Sequence, residues 1–281
     1  MKRICVIGAG VMGAGIAQTC SQAGFEVWMR DIDQKFIDSG FKRIRGPLEA
    51  RVKKKKMRKD EVEEILSRIH GTLDLKKASE NADFVIEAVI EEMDLKKEIF
   101  SELDETSKKD VILASNTSSL SITEIASSTK RSERVIGMHF FNPAPVMKLV
   151  ELIRGSETSQ ETFELTKKLS EKLLKVPIEV KESPGFVVNR MLVPMINEAF
   201  YLLMEGVASA KDIDKAMKLG TNMPMGPLEL ADFTGLDVGL YVMEVLHRET
   251  GDPKFRPCPL LKKYVRAGRL GRKVGKGVYE Y

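Results

Sequence analysis

The sequence is poor in the residues that would mark a disulfide scaffold, a metal knuckle or a membrane span. Its 281 residues hold three cysteines, Cys5, Cys20 and Cys258, an odd number with no metal or redox spacing. Cys5 and Cys20 sit among apolar neighbours and read as small core residues of a reducing compartment. No apolar run reaches the roughly 18 residues of a membrane helix. The apolar start at Ile4 breaks at Gly8, so it reads as part of the fold rather than as a signal segment. An excess of one charge is also missing: 45 basic against 41 acidic residues leave a net charge of +4. That argues against a nucleic-acid binder and leaves room for an anionic ligand. What is present, 43% hydrophobic and 31% charged residues, is the composition of a soluble cytoplasmic protein with no membrane partner, long enough for two domains.

The first half reads as a nucleotide site. Arg3 to Ile7 has the pattern of a buried strand, and Gly8-Ala9-Gly10-Val11-Met12-Gly13 follows at once. Ala14 to Ala23 is helix-compatible, and Gly24 is placed to end it. A second strand, Phe25 to Arg30, delivers Asp31, 23 positions after Gly8. Strand, glycine turn, helix and acid in that order are the context a dinucleotide fingerprint requires. Gly8 serves the tight turn, Gly10 lets the backbone approach a pyrophosphate, and Gly13 lets helix and strand pack closely. The first-turn amides of Val11 and Met12 face the phosphates. Asp31 would accept from ribose hydroxyls and repel a 2′-phosphate, favouring NAD over NADP. Arg30 adjoins it but points to the opposite face.

The chain is organised around Val135 to Ile153. An apolar run, Val135 to Met138, reads as a buried strand with His139 at its end. Asn142-Pro143-Ala144-Pro145 cannot be helix. The chain then returns through Lys148 to Glu151, twelve residues after His139. A strand-turn-strand return would set a carboxylate beside an imidazole, an arrangement suited to general acid/base chemistry near neutrality. The competing reading is a histidine that merely ends a strand, with Glu151 a solvated charge. Two further strands, Ala82 to Val89 and Val111 to Ala114, are followed by Glu91 and by the run Ser115 to Ser119. In an open parallel sheet, ligands lie outside the carboxyl ends of strands. Glu91, Ser118 and His139 therefore converge on one crevice.

Residues 34–70 read as a helical hairpin carrying the densest basic run, Arg51 to Lys56. That run is either a solvated face balanced by Asp60, Glu61, Glu63 and Glu64, or a clamp for phosphates. Ser183-Pro184-Gly185 marks a boundary, and the segments beyond it are helical: Val187 to Glu205 with a kink at Pro194, Ser209 to Leu219, Pro227 to Thr250 and Pro259 to Ala267. The broad apolar face of the first of these suggests a dimer interface as well as a core. Met191, Met195, Met204 and Met243 read as core packing. The tail from Arg269 could fold back on the cofactor domain. His70 and His247 have no matching acid at a telling spacing and read as surface residues.

GAGVMGAGIAQ, SNTSSL, HFFNPAPVMKLVE and SPGFVVNR, in this order, resemble the 3-hydroxyacyl-CoA dehydrogenase family, and the GRLGRKVGKGVYEY tail resembles its short bacterial 3-hydroxybutyryl-CoA members. The resemblance spans the chain. It implies an α/β fold: a Rossmann-type NAD-binding domain with a helical-hairpin insertion over residues 1–183, then an all-α domain over residues 184–281 that forms a homodimer. Carried over by motif, the catalytic histidine falls on His139, its partner acid on Glu151, and substrate contacts on Ser118 and Asn189. Cofactor contacts fall on Asp31, Glu91, Lys96, Ser118, Asn142 and Lys273, and a coenzyme A contact on Lys54. The implied reaction interconverts (S)-3-hydroxybutyryl-CoA and acetoacetyl-CoA with NAD(H). A dehydrogenase of another small 3-hydroxy acid, or a non-catalytic NAD-binding protein on the same scaffold, are the alternatives.

Overall fold

The computed structural model describes all 281 residues and divides into two compact units, Met1–Glu182 and Ser183–Tyr281. In chain order the first contains β1 (Arg3–Ile7), α1 (Val11–Gln22), β2 (Glu26–Arg30), α2 (Gln34–Lys53), α3 (Lys59–Ser67), β3 (Ile69–Thr72), α4 (Leu75–Ser79), β4 (Phe84–Glu87), α5 (Met93–Thr106), β5 (Ile112–Ser115), α6 (Ile122–Ala126), β6 (Val135–Phe140), β7 (Leu149–Arg154), α7 (Gln160–Lys172) and β8 (Val176–Lys181). The eight strands form one sheet in the order β3-β2-β1-β4-β5-β6-β7-β8. Strands β1, β4 and β5 are apolar on both faces because helices cover both, and Ile4, Val6, Ile86, Ala114 and Ile136 are buried with Ile16 and Cys20 of α1.

The first six strands are parallel, and their register aligns Arg30, Ile7, Glu87, Ser115 and Gly137 in one row across the sheet. The loops leaving β1, β2, β4 and β5 therefore all emerge past the same edge. The order of connection reverses between β1 and β4, and a crevice opens at such a switch point. β7 breaks the pattern by running antiparallel to β6, with His139 opposite Glu151. Only an antiparallel return lets a short turn pair residues so close in sequence.

The sequence reading misses β3, a four-residue strand that begins at the end of the segment assigned to the helical hairpin. Its His70 has an acid partner after all. Glu26, first residue of the neighbouring β2, meets His70 Nε2 at 2.8 Å across the strands. A partner 44 positions away leaves no spacing signal.

The second unit contains α8 (Val188–Met204), α9 (Ala210–Thr221), α10 (Pro227–Thr234), α11 (Leu236–Thr250) and α12 (Pro259–Arg266). Pro194, expected to kink the first of these, lies inside a helix that continues through it. The segment Pro227 to Thr250, read as one helix, is two. Gly235 takes φ +105°, which a helix cannot, and its amide caps Ala231. The methionines divide: Met243 is buried, whereas Met191 is 73% and Met204 42% exposed, so these two are not core. The tail docks on its own unit, where buried Asp232 accepts from the Val278 and Tyr279 amides, both at 2.8 Å, and Asp214 accepts from the Tyr279 hydroxyl at 2.6 Å. No helix is long and apolar enough to cross a membrane.

Candidate active site

The turn after β1 is shaped by contact. Gly8 has φ +102°, and a Cβ there would lie 2.5 Å from the Ala88 carbonyl; one at Gly13 would lie 1.9 Å from the Gly8 carbonyl. At Gly10 a Cβ would meet nothing within 4 Å. The first two glycines thus pack protein on protein, while the third keeps its backbone open to a ligand. α1 begins at Val11 and Met12 with no side-chain cap and no acid in its first turn. An anion fits there, facing the helix dipole and its N-terminal amides. Asp31, just past β2, is held in place by two amides: Ala9 N–H donates to Oδ2 and Ile32 N–H to Oδ1, each at 2.7 Å. Arg30 turns away and donates to the Leu73 carbonyl at 3.2 Å. Open glycine backbone, uncapped helix start and fixed carboxylate together fit a dinucleotide whose ribose is not phosphorylated.

Beneath the next two loops lies a buried charge network. Glu87, fully buried at the end of β4, accepts from Lys96 Nζ and from Ser115 Oγ, both at 2.6 Å, and from the Val89 amide at 2.7 Å. The Lys96 ammonium also lies 3.4 Å from Glu91. Glu91 Oε1 in turn accepts from the Ser118 amide at 2.7 Å, its hydroxyl at 3.0 Å and the Thr117 hydroxyl at 2.7 Å. Burial alone would raise the Glu91 pKa, but Lys96 and these donors hold it below the usual carboxylate range. One ammonium shared by two carboxylates couples the β4 and β5 loops, so the positions of Glu91 and Ser118 depend on each other.

His139 is 6% exposed and Glu151 fully buried, with Nδ1 to Oε2 at 2.7 Å. The strand is longer than expected and includes His139, so backbone pairing on β7 as well as the side-chain contact orients the ring. Asn116 ties the same place to β5: its side-chain oxygen accepts from the Phe140 amide at 2.9 Å. The Phe141 ring packs on the imidazole, with centroids 4.5 Å apart. An imidazole held this way by a carboxylate keeps one tautomer and is stabilised when protonated, which is what a proton donor and acceptor needs.

The remaining sequence-assigned residues are dispersed. Asn142 stands in the turn between β6 and β7, and Lys54 caps the C-terminus of α2. The acids expected to balance the basic run are taken by arginines: Glu63 by Arg45 and Asp60 by Arg58, while Glu64 is bonded to Arg68. Lys53 to Lys56 are exposed beside them. In the second unit Asn189 lies in the first turn of α8, and Lys273 is bound to Asp237 at 2.6 Å. Sequence reasoning gave no role to Glu87 or Asn116. A lone carboxylate in an apolar strand was the available signal for the first, and a place in the polar run Ser115 to Ser119 for the second.

The fold and this edge are those of a dinucleotide-dependent dehydrogenase. The family follows from comparison. Residues 3–183 match the model of the 3-hydroxyacyl-CoA dehydrogenase NAD-binding domain, and residues 185–281 that of the 3-hydroxyacyl-CoA dehydrogenase C-terminal domain. The chain belongs to the 3-hydroxyacyl-CoA dehydrogenase family, and its first unit is that family's NAD-binding domain. It is 55% identical to a probable 3-hydroxybutyryl-CoA dehydrogenase of Bacillus subtilis, over 100% of this chain and 98% of the relative. It is 52% identical to the 3-hydroxybutyryl-CoA dehydrogenase of Clostridioides difficile, over 99% of each. The crystal structure of the (S)-3-hydroxybutyryl-CoA dehydrogenase of Ralstonia eutropha superposes with a TM-score of 0.94 at 50% identity, covering 100% of this chain and 99% of that one.

Proposed function

We propose that this chain is an NAD-dependent 3-hydroxybutyryl-CoA dehydrogenase that interconverts (S)-3-hydroxybutyryl-CoA and acetoacetyl-CoA. The observation that carries the reading is the buried His139–Glu151 pair, 2.7 Å apart, in a chain whose whole length matches this family. On the turn that Gly8 and Gly13 shape, Gly10, Val11, Met12 and Asp31 would hold the pyrophosphate and adenine ribose, with Glu91, Lys96, Ser118, Asn142 and Lys273 completing the cofactor contacts. When bound, NADH supplies a hydride at its nicotinamide C4.

Nδ1 of His139 is engaged by Glu151, so the exchanged proton is carried on Nε2. In reduction, His139 Nε2–H would protonate the C3 oxygen, which receives the carbonyl π pair as C3 is reduced. In oxidation the ring takes the hydroxyl proton back. Glu151 keeps the ring oriented and stabilises the imidazolium in both directions. Ser118 and Asn189 would orient the thioester substrate, and Lys54 would meet the coenzyme A phosphates as a point charge. The exposed Met191 and Met204 of α8 support a homodimer, and three buried, unbridged cysteines support a reducing, cytoplasmic location.

The test is a steady-state assay with acetoacetyl-CoA and free acetoacetate, each with NADH and NADPH. The reading requires acetoacetyl-CoA with NADH to be the best pair. Equal use of free acetoacetate would move the activity to a small free hydroxy acid, and absence of any turnover would leave only a nucleotide-binding protein.

A further inference from the structure

Lys175 lies between α7 and β8, only 7% exposed. Its ammonium donates to the backbone carbonyls of Ala144, at 2.5 Å, and Met147, at 2.9 Å. No carboxylate forms an ion pair with it; burial lowers its pKa, and the buried Cys20 thiol is the one titratable group that opposes the shift. A buried charge without a counter-charge is costly, and a neutral side chain of similar length would fill the same space. Its place in the fold suggests why it is kept.

The two carbonyls belong to the turn that joins β6 to β7. That turn follows His139, precedes Glu151 and contains Asn142. Inside it the Val146 and Met147 amides both return to the Pro143 carbonyl, at 2.9 and 3.0 Å. Two prolines supply no donors of their own. The turn also rests on the dinucleotide helix: a Cβ on Gly15 of α1 would lie 3.2 Å from Ala144 Cβ and 3.3 Å from Pro145 Cδ. Lys175 thus ties down, from beside Cys20 of α1, a turn that also packs on Gly15 of the same helix.

We propose that Lys175 is a positioning residue that clamps the proline turn against α1 and so sets Asn142 for cofactor binding. This rests on the dehydrogenase reading for the role of Asn142. The clamp acts on the cofactor side of the reaction, because the turn leans on the dinucleotide helix while His139 and Glu151 are independently held by strand pairing.

The test measures NADH affinity directly by fluorescence titration, alongside steady-state reduction of acetoacetyl-CoA, in Lys175→Met, Lys175→Arg and Asn142→Ala. Lys175→Met leaves two turn carbonyls without their donor, so its NADH Kd is expected to rise about tenfold or more. KM for acetoacetyl-CoA should stay within about twofold, and Lys175→Arg should recover most of the affinity. Adding Asn142→Ala to Lys175→Met should cost far less than it does in wild type, since both act through one contact. If Lys175→Met does not fold, Lys175→Gln is read on the same scale. Unchanged NADH affinity, a parallel loss for both substrates, or effects that simply multiply would overturn the clamp. Failure of the wild type to reduce acetoacetyl-CoA would instead sink the substrate reading, with the NADH titration still deciding the clamp.

Discussion

Two histidines in this molecule are bonded to glutamates across neighbouring strands, at almost the same distance. His139 meets Glu151 at 2.7 Å between β6 and β7, and His70 meets Glu26 at 2.8 Å between β2 and β3. The side chains of the first pair are 7% and 0% exposed, those of the second 42% and 51%. Glu26 opens its strand, at the edge opposite the glycine turn, whereas His139 lies near the end of β6 beside the loops that carry Asp31, Glu91 and Ser118. The same two side chains in the same contact therefore mean different things. In water, the carboxylate's hold on the ring is weak and screened. Buried, it fixes tautomer and orientation. A third contact shows that burial alone is also insufficient. Asp104 and Arg131, 4% exposed each, are joined at 2.6 Å at the far end of α5 from Glu91, where no dinucleotide loop passes.

The contrast can be broken most severely at His139. Replacing it with Gln removes the proposed proton carrier and should lower kcat by about 10³-fold or more, with NADH binding intact by fluorescence titration. Next, Glu151→Gln keeps the shape but not the charge, and kcat should fall about 10²-fold. A loss below about threefold in either variant would remove the pair from the chemistry. Asp104→Ala sharpens the difference between a buried pair in the site and one outside it. It strands a buried guanidinium, so unfolding stability should drop by about 3–5 kcal/mol in denaturant titration, while kcat at low temperature stays near wild type. Burial opposes ionisation of Asp104, but its bonds to Arg131 and the Lys130 amide hold its pKa below the usual value. A depressed pKa gives stability that is present above the unfolded value and lost as pH falls through the folded one. The stability gap between wild type and Asp104→Asn should accordingly be full at neutral pH and close below about pH 4. The smallest effect belongs to Glu26→Gln: kcat unchanged and stability within about 0.5 kcal/mol. A rate loss there matching that of Glu151→Gln would erase the distinction between the two histidines.

Much of the candidate site's geometry was legible because its signals are local. The glycine turn, its flanking strand and helix, and Asp31 occupy one continuous stretch, and each residue type answers a steric or electrostatic demand visible without coordinates. The return from His139 through two prolines to Glu151 is equally local. Where reading failed, the partners were far apart in sequence. His70 and Glu26 required the parallel pairing of β2 with β3, and of the acids expected to balance the basic run Asp60 pairs with Arg58 just beyond it, whereas Glu63 and Glu64 pair with Arg45 and Arg68. Gly235 was passed over inside an apolar helical pattern, since periodicity does not report φ.

The sequence by itself determined the dinucleotide turn with its flanking strand and helix, the boundary near Ser183 and the residues able to carry a proton, because these depend on neighbours in the chain. Only the tertiary structure decided which imidazole loses its water, which carboxylates share the Lys96 ammonium, and what Lys175 grips. Those outcomes depend on desolvation and on contacts between residues brought together by the sheet, quantities that exist only once the chain is packed.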